Sequence, residues 1–197
     1  MELKNKYILD ATCGGRTIWH EKNKHNPYTL YIDIRQELDP AFARAPHHRT
    51  AVFNIDPDEI QDFRNLPYPD KSFKLVVWDP PHIKKKNGQK MLTGLITKRY
   101  GALNSETWQS DLKMGFNELW RLLDDYGVLI FKFHDGSIKH QKVLNLFSES
   151  PLFGTTTAKK NHNTCRWFCF MKIPKANGQG VLSSDEESLI NVDIMLN

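Results

Sequence analysis

Short apolar runs alternate with polar segments along most of the chain. Four runs are rich in β-branched and aromatic residues, which favour strands, and they are KYILDAT, TLYIDIR, FKLVVW and YGVLIFKF. FKLVVW carries apolar residues on both faces, as a central strand of a parallel sheet requires. Strands that alternate with helical segments predict an α/β fold, in which a mostly parallel sheet has helices on both faces.

Helical periodicity is clearest over 107–123, TWQSDLKMGFNELWRLL, where apolar side chains recur every three or four positions. This spacing predicts a helix with one face toward the core. Two further helices are predicted, one over 17–24 after the glycines of CGGRT and one over 137–147.

Further strands are predicted in two other parts of the chain. Between TLYIDIR and FKLVVW, either RTAVFNID or the shorter EIQDF supplies a third strand, and we favour EIQDF. Near the C-terminus, FGTTTAKK and TCRWFCFMKI are separated only by the polar turn NHN. Strands with so short a link must be antiparallel, so we expect the sheet to end in a hairpin.

The composition predicts a single domain. A chain of 197 residues with 40% hydrophobic content can bury one core, which we place over 1–174, followed by an acidic, flexible tail over 175–197. No segment resembles a signal peptide or an apolar span of about 20 residues, so we expect a soluble, cytoplasmic protein. The three cysteines show no paired CxxC spacing, so we expect reduced thiols and no metal site.

The charge is uneven along the chain. The net charge is +4, and the tail carries one lysine and four acidic residues, or −3, so residues 1–174 carry +7. A net positive charge over residues 1–174 is consistent with a polyanionic partner. It is equally consistent with a solvated cationic surface that binds no partner.

Three motifs accompany the predicted strands. They are LDATCGG at 9–15, the acid of YIDIR at Asp33, and DFRNLPYPDKSFKLVVWDPPH at 62–82. With the order of elements and the terminal hairpin, the chain resembles class I S-adenosylmethionine-dependent methyltransferases nearly end to end. The resemblance implies a Rossmann-like sheet of seven strands, with the cofactor across the carboxyl ends of the first strands.

The candidate cofactor-binding residues lie in these motifs: Asp10, Thr12, Gly14, Gly15, Asp33, Asp62 and Phe63. The two glycines let the backbone pass close to a ligand, and Asp10 either bonds the amino group of the cofactor or orients the loop. The carboxylate of Asp33 can accept two bonds from a ribose diol. The resemblance implies that Asp62 and Phe63 bind adenine, and Thr12 stands where the family has its first glycine.

Asp79, Pro80, Pro81 and His82 directly follow FKLVVW and are the candidate catalytic residues. Prolines cannot donate to a sheet ladder, so they end the strand with a rigid backbone. The resemblance places this tetrapeptide beside the transferred methyl group, where Asp79 and the Pro80 carbonyl would bond both hydrogens of an attacking amino group. His82 takes the place of an aromatic residue that stacks on a flipped base, and imidazole can stack. A general base for a hydroxyl or ring nitrogen is the alternative role.

The two segments after His82, IKKKNGQK and LITKRYGALN, are basic. They supply the candidate substrate-binding residues Lys84, Lys85, Lys86, Lys98, Arg99 and Tyr100. Basic side chains beside an aromatic ring suit a phosphate backbone and a base, so we predict a mobile lid over nucleic acid. A solvated loop that only closes over the cofactor is the alternative.

Together these features predict a methyltransferase that uses S-adenosylmethionine and acts on an amino nitrogen of a nucleobase, with adenine N6 in DNA favoured. The expected partner is nucleic acid, DNA first and RNA second. An RNA or small-molecule methyltransferase, and a cofactor-binding module that has lost transfer, are the alternatives.

Overall fold

A computed structural model describes residues 3–39, 53–85, 94–154 and 164–174. The strands in these ranges are β1 (Ile8–Asp10), β2 (Thr29–Asp33), β3 (Glu59–Ile60), β4 (Phe73–Trp78), β5 (Leu123–His134) and β6 (Cys165–Met171). The helices are α1 (Leu95–Tyr100), α2 (Trp108–Leu122) and α3 (His140–Leu144), with one 3₁₀ turn at Glu21–Asn23. The predicted α/β class is confirmed. None of the described helices is long and apolar enough to cross a membrane.

The described strands form one sheet in the order β3-β2-β1-β4-β5-β6. Neighbouring strands are parallel except β5 and β6, which are antiparallel. Because strand order reverses at β1, which lies between β2 and β4, the carboxyl ends of these strands border the crevice where open α/β sheets bind ligands.

The antiparallel C-terminal strand is confirmed, but a seven-stranded sheet is not: six strands lie within the described ranges. Phe153 makes an isolated antiparallel bridge to Cys169, so the start of the predicted strand FGTTTAKK lies beside β6. Residues 155–160 of that strand and the predicted tail over 175–197 lie outside the described residues.

EIQDF does contribute the third strand, since Glu59 and Ile60 pair with the end of β2. RTAVFNID lies partly outside the described residues, and its Ile55 makes an isolated antiparallel bridge to Glu37.

The helix predicted over 17–24 is wrong. The chain there forms turns and a single 3₁₀ turn, and Arg16 just before it adopts a left-handed conformation with φ of 53°. The Arg16 guanidinium then donates to the carbonyl of Lys24 over 2.7 Å and lies 3.9 Å from the centre of the Tyr31 ring. Contacts of the Arg16 side chain therefore stabilise this segment, in place of the backbone hydrogen bonds of a helix.

The core lies between the sheet and helices α2 and α3. Phe116 of α2 contacts Phe170 of β6, with ring centroids 5.2 Å apart, and His140 of α3 contacts Phe133 and Phe168. These side chains share the buried face of β5 and β6, whereas Lys132 and its neighbours on the other face of β5 are only half-buried. Helices on both faces of the sheet stay a prediction.

Candidate active site

A cavity of about 520 Å³ opens at the carboxyl ends of β1, β2, β4 and β5. Its walls bring together many of the predicted site residues: Thr12, Gly14, Gly15, Asp33, Phe63, Asp79, Pro80, Pro81, His82, Lys85, Arg99 and Tyr100. Asp10, Asp62, Lys84 and Lys98 are described but do not line it, and Lys86 lies outside the described residues.

Asp33 ends β2 with a buried carboxylate that holds the glycine loop. Its Oδ2 accepts a hydrogen bond from the backbone N–H of Gly14 over 3.1 Å. Gly14 has φ of 48°, and a Cβ built there would meet no atom within 4 Å. The backbone conformation at this point favours a glycine, and the open space beside it belongs to the cavity.

Asp10 is fully buried at the end of β1. It accepts hydrogen bonds from the indole of Trp19 over 2.6 Å and from the N–H of Thr12 over 3.2 Å. Burial raises the pKa of Asp10 to about 7, although the two hydrogen bonds lower it. Of the two roles considered for Asp10, these contacts support orientation of the loop.

Asp62 and Phe63 are adjacent in sequence but point to different surroundings. The Asp62 carboxylate accepts hydrogen bonds from Arg64, and these bonds hold its pKa below the ordinary value. Phe63 lines the cavity and packs edge-on against Trp78, with ring centroids 5.5 Å apart. A Cβ at Gly115 of α2 would lie 2.5 Å from the Phe63 ring, so that glycine makes room for it. The adenine-binding role of both residues stays a prediction.

Asp79 is held at its backbone and at its side chain. Its N–H donates to Thr12 Oγ1 over 2.9 Å. Thr12, which stands where a glycine was expected, therefore has a structural role. Its Oδ2 accepts a hydrogen bond from Lys132 Nζ over 2.7 Å. Trp78 pairs with Phe131, so Asp79 and Lys132 follow one position further along the neighbouring strands β4 and β5.

His82 folds back over Asp79. Its Nε2 lies 2.9 Å from Asp79 Oδ1, within ion-pair distance when the ring is protonated. The contact is not a hydrogen bond, and Asp79 Oδ1 is buried without a hydrogen-bond partner among the described residues. The other ring nitrogen, His82 Nδ1, is also buried without one. The ring meets Phe133 edge-on, with centroids 5.0 Å apart. Two buried polar atoms without hydrogen-bond partners among the described residues therefore belong to neighbouring side chains of the cavity wall.

The basic segment divides into residues that face the cavity and residues that do not. Lys85, Arg99 and Tyr100 line it, while Lys84 makes a backbone bridge to Leu103. The carbonyl of Lys98 accepts a hydrogen bond from Arg35. A role of any of these residues in substrate binding stays a prediction.

Sequence reasoning missed six polar residues of the cavity wall: Cys13, Thr17, Arg35, Lys132, His134 and Cys165. A signal for Lys132 was present, since it is a lysine inside the apolar run YGVLIFKF, one strand away from Asp79. Arg35 carries no such signal, because it follows Asp33 by only two positions while its other contacts, with Lys98 and Arg99, span about sixty positions.

No protein-family model matches the chain. No curated protein matches it either. Among solved structures, a SAM-dependent methyltransferase from Methanosarcina mazei is 12% identical, with a TM-score of 0.47 over 86% of this chain and 93% of its own. The PH0226 protein from Pyrococcus horikoshii OT3 is 14% identical, with a TM-score of 0.46 over 85% of this chain and 82% of its own. Identities and TM-scores this low do not assign a function to the chain.

Proposed function

We propose that the protein is an S-adenosylmethionine-dependent methyltransferase that acts on an amino nitrogen of a nucleobase, with adenine N6 in DNA as the first candidate. One observation carries the proposal. The cavity at the switch point of the sheet is lined both by the glycine loop with Asp33 and by the Asp-Pro-Pro-His segment. These are the two halves that a methyl donor and a methyl acceptor need side by side.

The cofactor half of the cavity fits S-adenosylmethionine. The open space beside Gly14 admits a ligand close to the backbone, and the cavity volume is typical of small-molecule sites. Asp33 would bind the ribose hydroxyls and Phe63 would contact the adenine. The bound cofactor would supply a sulfonium methyl group, and this chain would supply position and electrostatics.

The acceptor half is built around Asp79. Lys132 occupies one oxygen of the carboxylate, which leaves Oδ1, without a hydrogen bond, as the acceptor for an N–H of the substrate. The second N–H would go to the Pro80 carbonyl. Bonding both hydrogens would favour a pyramidal nitrogen with its lone pair directed at the sulfonium methyl. The N–C bond would then form as the C–S bond breaks, and the proton would leave the methylated nitrogen for solvent.

His82 has to turn for this chemistry, because its ring covers Asp79 Oδ1. Turned toward the cavity, the imidazole would stack on the base while it releases the carboxylate oxygen to the amino group. One movement thus prepares both contacts to the acceptor.

Nucleic acid is the proposed acceptor because of the charge around this half of the cavity. Lys85 and Arg99 lie in its wall and residues 1–174 carry +7. DNA is placed before RNA. The alternative is a module that binds the cofactor without methyl transfer. In that case Lys132 and His82 would remain in contact with Asp79, and the carboxylate would not bind a substrate.

A second candidate function is methyl transfer to a hydroxyl or a ring nitrogen of RNA or a small molecule. The observation in its favour is the 2.9 Å contact of His82 Nε2 with Asp79 Oδ1. A carboxylate beside one ring nitrogen orients an imidazole and leaves Nδ1 as a general base.

Two measurements test the proposal. Calorimetry with S-adenosylhomocysteine tests the cofactor site, and absence of binding to the folded protein would overturn it. Transfer of labelled methyl from S-adenosylmethionine to DNA, tRNA and ribosomal RNA then tests the acceptor. Asp79→Ala should leave the Kd for S-adenosylhomocysteine within a factor of about three and lower kcat by about a hundredfold or more. Label in none of the acceptors, with cofactor bound, would favour the module without transfer.

A further inference from the structure

Arg35 connects two parts of the cavity wall that are far apart in sequence. Its Nε donates to Asp33 Oδ1 over 3.2 Å, at the end of β2. Its NH1 donates to the carbonyl of Lys98 over 2.9 Å, and its NH2 donates to the carbonyl of Arg99 over 3.4 Å. Arg35 therefore caps the last turn of α1 and ties it to the carboxylate proposed to bind ribose.

Helix α1 in turn borders the acceptor half. Tyr100 of α1 lines the cavity, and a Cβ built at Gly101 would lie 3.1 Å from the Pro81 ring. Just beyond, Leu103 exchanges backbone hydrogen bonds with Ile83 and Lys85, over 2.8 and 2.9 Å. A displacement of α1 therefore acts on the segment that follows Asp79.

The hydrogen-bond capacity of Asp33 is almost used up. A carboxylate offers about four lone-pair sites, two on each oxygen. Oδ1 accepts both the N–H and the Nε–H of Arg35, and Oδ2 accepts the N–H of Gly14. One site is left, whereas a ribose diol that donates both hydroxyls needs two. The Nε–H of Arg35 is the donor that can leave, because the other two are backbone groups of the loops.

We propose that Arg35 is a positioning residue that couples occupancy of the ribose site at Asp33 to the position of α1, and so to the acceptor half of the cavity. This inference rests on the proposed function, because it assigns the ribose to Asp33. A diol on Asp33 displaces the Arg35 side chain from Oδ1. The displaced guanidinium no longer anchors the last turn of α1 to β2, and the acceptor wall becomes free to rearrange only when the cofactor is present.

Amide hydrogen exchange over 94–101 tests the coupling, with S-adenosylhomocysteine as the probe. The first variant, Arg35→Met, removes every side-chain donor and keeps an unbranched apolar side chain. The second, Arg35→Lys, replaces the guanidinium by an ammonium group and so keeps the positive charge. Lys113→Ala is the matched control, since it removes an exposed positive charge from α2. Calorimetry on each protein gives the saturating concentration of the probe.

In the free proteins, Arg35→Met should accelerate exchange in this segment about fivefold or more, Arg35→Lys less, and Lys113→Ala not at all. Saturating S-adenosylhomocysteine should accelerate exchange in the wild type toward the rate of free Arg35→Met and add no acceleration in that variant.

Three results would overturn the inference. Equal exchange in free wild type and Arg35→Met would show that Arg35 does not hold α1. An equal slowing of exchange by the probe in both proteins would show that the ligand acts on α1 by direct contact alone. Absence of binding by calorimetry would remove the proposed function and the coupling together, whereas binding with either of the first two results removes the coupling and leaves the proposed function intact.

Discussion

The buried carboxylate of Asp10 should make the stability of the protein fall as pH rises. Burial raises its pKa from the ordinary 3.8 to about 7. Between these values the unfolded chain loses the proton and the folded protein keeps it, so the folded state binds more protons and the free energy of unfolding decreases with increasing pH. About 1.4 kcal/mol for each pH unit gives about 4 kcal/mol over the whole window.

Replacing Asp10 by asparagine isolates this contribution, because an amide does not ionise. The amide also loses one of two hydrogen bonds, since its nitrogen cannot accept from Trp19 or from the Thr12 N–H. That loss costs about 1 kcal/mol. Asp10→Asn should therefore be about 1 kcal/mol less stable than wild type below pH 4 and about 3 kcal/mol more stable above pH 8.

Urea unfolding followed by tryptophan fluorescence at several values between pH 4 and 9 measures both proteins. Glu106→Gln, a change at an exposed carboxylate, should follow the wild-type curve throughout. The reasoning is refuted if the difference in stability between wild type and Asp10→Asn stays constant within about 0.5 kcal/mol, because one buried group then cannot account for the pH dependence.

Four further outcomes are expected. Asp33→Ala should weaken binding of S-adenosylhomocysteine by about 1.5 to 3 kcal/mol in calorimetry, with Glu106→Gln unchanged. Lys132→Met should lower kcat in labelled-methyl transfer about tenfold or more at an unchanged Kd for S-adenosylhomocysteine, and a parallel loss of cofactor affinity would contradict this role for the 2.7 Å bond to Asp79. His82→Phe should retain turnover if the ring stacks; a dead variant, with a wild-type rate that rises through neutral pH, would show that His82 is a base. Lys85→Ala should make the log-log salt dependence of duplex DNA binding shallower by about 0.9, and an unchanged slope would remove Lys85 from the phosphate contacts.

Burial explains which elements could be predicted from the sequence. β4 coincides with FKLVVW, and α2 differs from the predicted 107–123 by one residue at each end. In both elements the spacing of apolar residues follows from packing against the core, so the period in the sequence matches the structure. The helix predicted over 17–24 failed because its conformation depends on what Arg16 and Trp19 bind elsewhere, which a local pattern does not contain.

The residues of the candidate site differ in the same way: some follow from local burial and others from contacts with distant residues. Asp33 and Asp79 were predictable because Asp33 ends a buried strand and Asp79 directly follows one, and parallel strands place such residues at one edge of the sheet. Of their partners, Lys132 had a signal in the sequence, as a lysine inside an apolar run, whereas nothing in the sequence indicated that Arg35 reaches α1. The partners also change the chemistry. Both carboxylates were predicted as free acceptors, but each already has a side-chain neighbour. A ligand at Asp33 would have to compete with Arg35, and a ligand at Asp79 would have to displace His82. Ligand binding at Asp33 would therefore exchange one hydrogen-bond partner for another, whereas ligand binding at Asp79 would require movement of the His82 ring. The side chains that move, Arg35 and His82, are then the ones through which the two halves of the cavity can be coupled.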